Sequence, residues 1–355
     1  MNNKTIYKRN DGLRYYFQKK VEDEEQYVNS GYNLGYEFPE ISCDWLEKFS
    51  SFEKYMGNYH ENVNLGIAVS KDGLLTDHGP EHINSVMRHA VDIIYDPMQL
   101  TGYEIYILMC AIHFHDLGNI TGRLEHEKKI GEIMSKVADD LVLSRLQREV
   151  IRTIAMAHGG YTDGDKDTIK YLLSRDAYAG AGIRPQLLAS VLRFADEVSD
   201  DLNRSEFKGI NIPYENRVFH DYSKSLEPIS VTGNTMKLNY FISYEQTQEK
   251  TSGPSGEVYL YDEILRRLEK MMIELEYCRK YAEGMICITT LDVEIHIYDS
   301  LDNEIEKIPI RLTLQGYPDR NYVNLEYYID KEWKRRQGVN ICADGEELKK
   351  KLSNK

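Results

Sequence analysis

The sequence predicts a mainly α protein, a helical domain followed by a smaller α+β C-terminal region. Two observations carry this. Apolar residues recur at helical spacing in one segment after another between about 75 and 205, and past about 225 the period changes to alternation. A third bounds the class: no apolar run approaches the roughly 20 residues that span a bilayer.

Taken in order, residues 1–40 are polar and tyrosine-rich, carry the acidic run VEDEEQ, and read as an irregular arm. ISCDWLEKFSSFEKYM (41–56) has helical spacing at Ile41, Trp45, Phe49 and Phe52, and an extended stretch follows. In LTDHGPEHINSVMRHAVDII, either Asp77 or the Gly79-Pro80 pair caps a helix carrying Ile83, Val86, Ala90 and Ile93. GYEIYILMCAIHFHD is a largely buried helix by composition. Three more helical segments follow: EHEKKIGEIMSKVADDL (125–141), LSRLQREVIRTIAMAHGG (143–160) and RPQLLASVLRFADEVSDDL (184–202), with Gly159-Gly160 as a helix stop. Residues 75–205 thus read as an all-α domain with short loops.

Beyond it, LDVEIHIYD (291–299) puts Leu291, Val293, Ile295 and Ile297 on one face, and IPIRLTL (308–314) alternates too, with SLDNEIEK as the hairpin connection. VTGNTMKLNYFISY is a third candidate strand, YLYDEILRRLEKMMIELEYCRKYAEG a long amphipathic helix, TQEKTSGPSGE (247–257) a polar loop, and the tail GEELKKKLSNK a frayed helix. The expected organisation is an N-terminal arm and helix over 1–60, a helical domain over 61–210, and an α+β region over 211–355 with a long helix at 258–283 and a β-hairpin at 288–315.

Of the 355 residues, 41% are hydrophobic and 29% charged, ordinary for a soluble globular protein. A net charge of −14 disfavours sequence-independent clamping of a long nucleic acid, which needs a basic surface. It leaves room for a small phosphorylated ligand, because bound cations reverse the local field. The five cysteines are scattered and never in CxxC spacing, and MNNKTIYKRNDGLRYYF lacks the apolar core of a signal peptide. Both lead to the expectation of a reducing, cytoplasmic setting without a membrane partner.

The chemistry starts at AIHFHDLGNI (111–120), where a strongly apolar run ends on His115 and Asp116. A buried carboxylate beside an imidazole is costly unless something compensates it, so either a local partner satisfies the pair or the pair holds a cation. Further candidates lie in other segments: His78 and His82, spaced i, i+4, then His126, His158 and Asp196. Helical bundles build metal sites from inward-facing side chains of several helices. Imidazole and carboxylate without thiolate suit Mn, Fe, Zn, Ni or Co.

These residues resemble the signature of the HD superfamily of metal-dependent phosphohydrolases, which has a His, then a His-Asp doublet, then a distal Asp. EHINSV supplies His82, HFHDLGN the doublet, and LRFADEVS Asp196, while EHEKKIGEIM (His126) and IRTIAMAHGG (His158) are similar to the two additional histidine segments of two-metal members. The likeness covers roughly 75–205. It implies that His82 and His115 hold one divalent ion and His126 and His158 a second, that Asp116 bridges, and that Asp196 closes the first site. One or two ions (Mn, Fe, Ni, Co, Zn or Mg) are implied, with His78 assisting or replacing His82. Where many two-metal phosphodiesterases have Lys, in a run like HDIGK, this chain has Asn119. Arg204, Lys128 and Arg123 are the candidate cations for transition-state charge, and Asp116 is the central catalytic group.

The remaining signals have structural readings. His89, His113, His220 and His296 are assigned to packing, His113 on a different helix face from His115, while His60 sits in an uninformative polar segment. Asp200 and Asp201 read as a solvated acidic turn, and Asp196 has a buried salt bridge with Arg193 or a neighbouring helix as its alternative. The 27 tyrosines suit packing more than base stacking, and the long amphipathic helix is core or the seam of a homo-oligomer. The resemblance implies a phosphohydrolase or phosphodiesterase acting on a nucleotide, cyclic nucleotide or short oligonucleotide through a metal-activated hydroxide. The alternatives are an HD-fold di-iron oxygenase and a non-catalytic, nucleotide-sensing regulator, and a nuclease on long nucleic acid is disfavoured by charge.

Overall fold

The computed structural model describes residues 7–29, 37–39, 43–68, 78–121, 126–137, 143–159, 165–178, 180–202, 216–254, 256–315 and 324–354. The expected fold class holds: helices dominate, and a four-stranded sheet lies in the C-terminal part. The chain forms two compact units. One comprises Met1–Asp72, His78–Asp196 and Cys278–Ile286, and the other includes Glu197–Tyr277 and Cys287–Lys355.

In the first unit the helices are α1 (Leu13–Asn29), α2 (Trp45–Ala68), α3 (Pro80–Asp92), α4 (Gly102–Phe114), α5 (His126–Val137), α6 (Arg145–Met156) and α7 (Pro185–Glu197). α4 is central: every one of its residues is buried, and it packs against α1, α3 and α6. Its start is fixed twice. Thr101 Oγ1 accepts from the Glu104 backbone N–H at 3.1 Å while the Glu104 carboxylate accepts from the Thr101 N–H at 3.0 Å, a reciprocal capping box. Arg184 then donates to both Glu104 oxygens at 2.7 and 2.6 Å, which satisfies a carboxylate otherwise buried at a cost. Phe17, Phe38, Trp45, Phe49, Tyr103 and Tyr106 form an aromatic cluster around α4, with the Phe38 and Trp45 rings stacked at 5.1 Å.

The first unit departs from expectation in four places. The polar arm contains α1, because Leu13, Phe17 and Val21 recur every four residues and bury a stripe among tyrosines and charges. α2 runs on through His60 to Ala68 where an extended stretch was expected, since Phe52, Met56, His60 and Val63 continue its buried stripe. α3 starts at Pro80 with Gly79 as its cap, so His78 precedes the helix and the i, i+4 pairing with His82 does not apply. The all-α reading misses a two-stranded antiparallel hairpin, β1 (Asp176–Tyr178) with β2 (Ala181–Ile183), joined through Gly180 at φ 88°. Ile41, Asp77 and Gly160 lie outside the described residues.

In the second unit, β3 (Ser230–Thr232), β4 (Thr235–Ser243), β7 (Thr290–Tyr298) and β8 (Glu304–Thr313) form one sheet in that order. β4 and β7 are parallel, and the other pairs are antiparallel. The third candidate strand is therefore a hairpin, closed by a two-residue turn in which Gly233 takes φ 62°. Leu291, Val293, Ile295 and Ile297 are buried as their alternation requires, and His296 lies on the polar face. The expected connection SLDNEIEK is too long: the turn closes by Asn303 because the Asp299 carboxylate accepts from Leu301 N–H and Asn303 N–H, and EIEK is strand. Between β4 and β7 lie α9 (Tyr244–Gln248), the small hairpin β5 (Thr251–Gly253) with β6 (Gly256–Val258), and α10 (Leu260–Tyr281). The buried residues of α10 include Ile264, Leu268, Met271 and Leu275.

Two readings are corrected here. Asp200 and Asp201 are not a solvated turn, being 6% and 0% exposed. Asp200 accepts from Ser223 Oγ at 2.6 Å and pairs with Arg267 at 3.2 Å, partners distant in sequence. The tail is a capped helix (Gly345–Ser353), with Asp344 accepting from Glu347 N–H and with Leu348 and Leu352 buried.

Because Phe49 lies fully inside the aromatic cluster beside α4, Phe49→Ala is expected to destabilise the first unit by ~3–5 kcal/mol. A urea melt followed by near-ultraviolet circular dichroism reads this, and an unshifted midpoint contradicts the packing described.

Candidate metal centre

The His-Asp doublet sits where α4 ends. His115 is the C-terminal cap of that helix, and a 3-10 turn (Leu117–Thr121) begins directly after Asp116. His82 comes from the first turn of α3, Asp196 from the last turn of α7, His126 from the first residue of α5, and His158 from just past α6. Four segments separated in sequence thus deliver side chains to the doublet, all within the first unit.

The donor atoms fall into two groups. His82, His115, Asp116 and Asp196 each offer one atom, all within 4.8 Å of one another, and Asp116, His126 and His158 form a second such set. Asp116 belongs to both through different oxygens. Its Oδ2 lies 3.4 Å from both His82 Nε2 and His115 Nε2, while its Oδ1 lies 3.2 Å from His126 Nε2 and 3.8 Å from His158 Nε2. Asp196 Oδ1 is 3.2 Å from His82 Nε2 and 3.6 Å from His115 Nε2. His78 Nε2 stands at the margin, 3.8 Å from Asp116 Oδ2.

Hydrogen bonding behind the rings decides which nitrogens face inward as acceptors. His115 Nδ1 lies 2.7 Å from the Ile112 carbonyl, and His158 Nδ1 2.6 Å from the Ala155 carbonyl. A carbonyl only accepts, so each Nδ1 carries a proton and each Nε2 is the nitrogen turned inward, with a lone pair there whenever the ring is neutral. His82 and His115 nevertheless bring their Nε2 atoms to 3.1 Å, and His126 and His158 to 3.3 Å. His82 Nδ1 has no hydrogen-bond partner among the described residues, so nothing behind that ring assigns its tautomer.

The electrostatics point the same way. Burial disfavours charge on His115, but Asp116 and Asp196 overcome it and raise the imidazole to about 10. Burial would raise Asp116, yet the surrounding imidazoles, His115 first, hold it well below the usual carboxylate range. Asp196 is likewise held low, against its burial, by His115 and His82. His158 moves the other way, lowered to about 4 by burial and by the charges of His115 and His126. Two carboxylates thus demand positive charge between them, which a proton on His115 supplies in the absence of a cation. Converging lone pairs, two ionised carboxylates and no thiolate are a donor set that fits a divalent ion.

The family model HD-CE matches residues 72–270, more than half of the 355-residue chain. The chain belongs to the HD-CE family. No curated protein and no solved structure matches it. This HD-CE chain therefore carries both an HD-domain match and a buried His/Asp cluster able to hold a metal ion.

The other candidates fall differently. Lys128 is exposed on α5, and two residues along a helix is a rotation of about 200°, so it points away from the face that carries His126. Arg204 and Arg123 lie outside the described residues. Arg193 does not pair with Asp196: its guanidinium donates to Thr168 Oγ1 at 3.0 Å and to the Lys166 carbonyl at 3.2 Å. His89 bonds Asp92 at 3.1 Å, a local role.

Sequence reading missed the layer behind the centre. His60 Nε2 bonds His113 Nδ1 at 3.0 Å, His113 Nε2 lies 3.7 Å from Glu53, and Arg14 Nε donates to Glu53 at 2.5 Å. His60 could have been found from its place on the buried stripe of α2, four residues past Met56. Gly118 is a second omission. A Cβ there would lie 1.9 Å from the His126 carbonyl oxygen, so only glycine lets the 3-10 turn approach the start of α5 this closely.

Two outcomes follow. Burial alone would raise Glu53, but His113 and Arg14 hold it at about 2, below the ordinary value of 4.5. A folded-state pKa below the unfolded one contributes stability that is full above about pH 4.5 and lost as the pH falls toward 2, on the order of 3 kcal/mol. Glu53→Gln is expected to flatten that acid limb in urea melts between pH 2 and 6, and an unchanged limb contradicts the pairing. Gly118→Ala is expected to cost ~1–3 kcal/mol by forcing α5 away from the turn. Its urea midpoint tests this, and wild-type stability would refute the close approach.

Proposed function

We propose that this HD-CE protein is a metal-dependent phosphohydrolase that cleaves a phosphoester or phosphodiester bond in a nucleotide, cyclic nucleotide or short oligonucleotide. The observation that carries the reading is the division of one carboxylate between two donor groups, Oδ2 of Asp116 toward His82 and His115 and Oδ1 toward His126 and His158. Donor sets joined by a single carboxylate suit a pair of cations close enough to act on one phosphoryl group. Divalent ions held there supply Lewis-acid polarisation of phosphoryl oxygens and a more acidic water, the chemistry that phosphoester hydrolysis requires.

The chain's own residues set the geometry. His82, His115, Asp116 and Asp196 hold the first ion, and Asp116, His126 and His158 the second. The Ile112 and Ala155 carbonyls keep His115 and His158 protonated at Nδ1, so neither ring has to reorient when its Nε2 is used. The buried side of the site, His82 and His115, excludes water. Asp196 and His126 keep 23% and 14% of their side chains exposed, and they form the edge from which a substrate approaches. A net charge of −14 favours a small anion drawn by the ions themselves over a long polyanion drawn by the surface. No disulfide joins the five cysteines, which supports a reducing, cytoplasmic setting, and among the described residues no helix is long and apolar enough to cross a membrane.

Hydrolysis of bis-p-nitrophenyl phosphate and of a nucleotide panel with Mn²⁺ tests the proposal. Asp116→Ala is expected to lower kcat/KM by more than ~100-fold, since even partners outside the ligand shell cost 10–100-fold. Chelation is expected to abolish turnover and added Mn²⁺ to restore it. Turnover that survives both Asp116→Ala and chelation would sink the reading, and O₂ consumption by an iron-loaded protein without phosphate release would replace it with oxygenation.

A further inference from the structure

We infer that Asn119 is a positioning residue that commits one oxygen of Asp116 to the second cation; the inference rests on the two-cation reading above. Asn119 lies in the 3-10 turn directly after the doublet and is 1% exposed. Its backbone N–H donates to the Asp116 carbonyl at 3.0 Å, and its side-chain Nδ2 donates to Asp116 Oδ1 at 3.1 Å. That is the same oxygen that faces His126 and His158. The reverse amide orientation would set two acceptor oxygens against each other, so the chemistry of the contact assigns nitrogen to this position.

A carboxylate shared between two cations has one soft coordinate, rotation about its own Cβ–Cγ bond. Contacts to His82 and His115 hold Oδ2. The Asn119 amide holds Oδ1, and as a neutral donor it leaves the carboxylate's charge available to a cation. The rest of the Asn119 side chain argues against a purely structural role. Its Oδ1 is buried with no hydrogen-bond partner among the described residues, an unfavourable state tolerated beside the single bond to Asp116. The turn also packs against α5, and its Gly118 sits under the His126 carbonyl, so one short segment places both the amide and the second group's histidine.

The test is Mn²⁺ binding by calorimetry, with metal content after gel filtration and frozen-solution EPR, on wild type, Asn119→Leu and Asn119→Ala. Leucine keeps the volume of asparagine and removes both the donor and the unpartnered acceptor. Wild type is expected to bind two Mn²⁺ with a spin-coupled signal. Both variants are expected to keep the first ion, to bind the second 10–100-fold more weakly, and to show the signal of isolated Mn²⁺. Metal-free Asn119→Leu is expected to melt at or above the wild-type temperature, which a merely structural asparagine would not allow. Unchanged affinity for both ions overturns the inference. So does an equal loss at both sites, or failure of both variants to fold. If wild type itself binds fewer than two ions, the two-cation reading fails first.

Discussion

The first unit is organised around a carboxylate that should not be buried. Asp116 is 6% exposed at the end of a helix with no exposed residue, and it remains ionised there because imidazoles approach both of its oxygens. Each contact is supplied by a different segment. α3, α5 and α6 therefore all reach the end of α4, and α7 joins them through Asp196, which lies against His82 and His115. A side chain of this kind contributes little net stability by itself, since the attraction largely repays desolvation. What it imposes is position: an imidazole from each of α3, α5 and α6 approaches one of its oxygens.

Around the carboxylate, neutral backbone groups do the aligning. The Ile112 and Ala155 carbonyls lie three residues before the histidines they hold, at helix ends where carbonyls lack partners within the helix. The centre thus uses carbonyls at the C-termini of α4 and α6, that of Ala155 accepting from the His158 backbone N–H as well. Behind it, Arg14, Glu53, His113 and His60 run from α1 through α2 to α4. This chain ties the N-terminal helices to the element that carries the doublet.

The HD-CE match extends to residue 270, well past the last candidate ligand at Asp196. It takes in α8 (Arg217–Ser225), β3 to β6 and the first half of α10, elements of the second unit. The family pattern is thus larger than the ligand set. The buried Asp200–Arg267 pair, whose two members both fall inside the match, is the kind of long-range polar contact that holds such an element set together.

The class of the fold and the histidines and aspartates that cluster are legible in the sequence alone. Helical spacing was strong in α3 to α7, alternation was clean in β7 and β8, and the His-Asp doublet stood out because an apolar run cannot end on two polar side chains without a reason. α1 and the C-terminal helix were harder to read because their buried positions are few and surrounded by charge, so the apolar stripe was short. What only tertiary structure decided is how the donors divide. Spacing along a chain carries no information about which oxygen of Asp116 meets which imidazole, that Lys128 faces away from His126, or that residues Cys278–Ile286 return to the first unit, where Met285 accepts from Tyr95 N–H. Those facts depend on the packing of segments far apart in sequence, and on close approaches such as Gly118 against the His126 carbonyl.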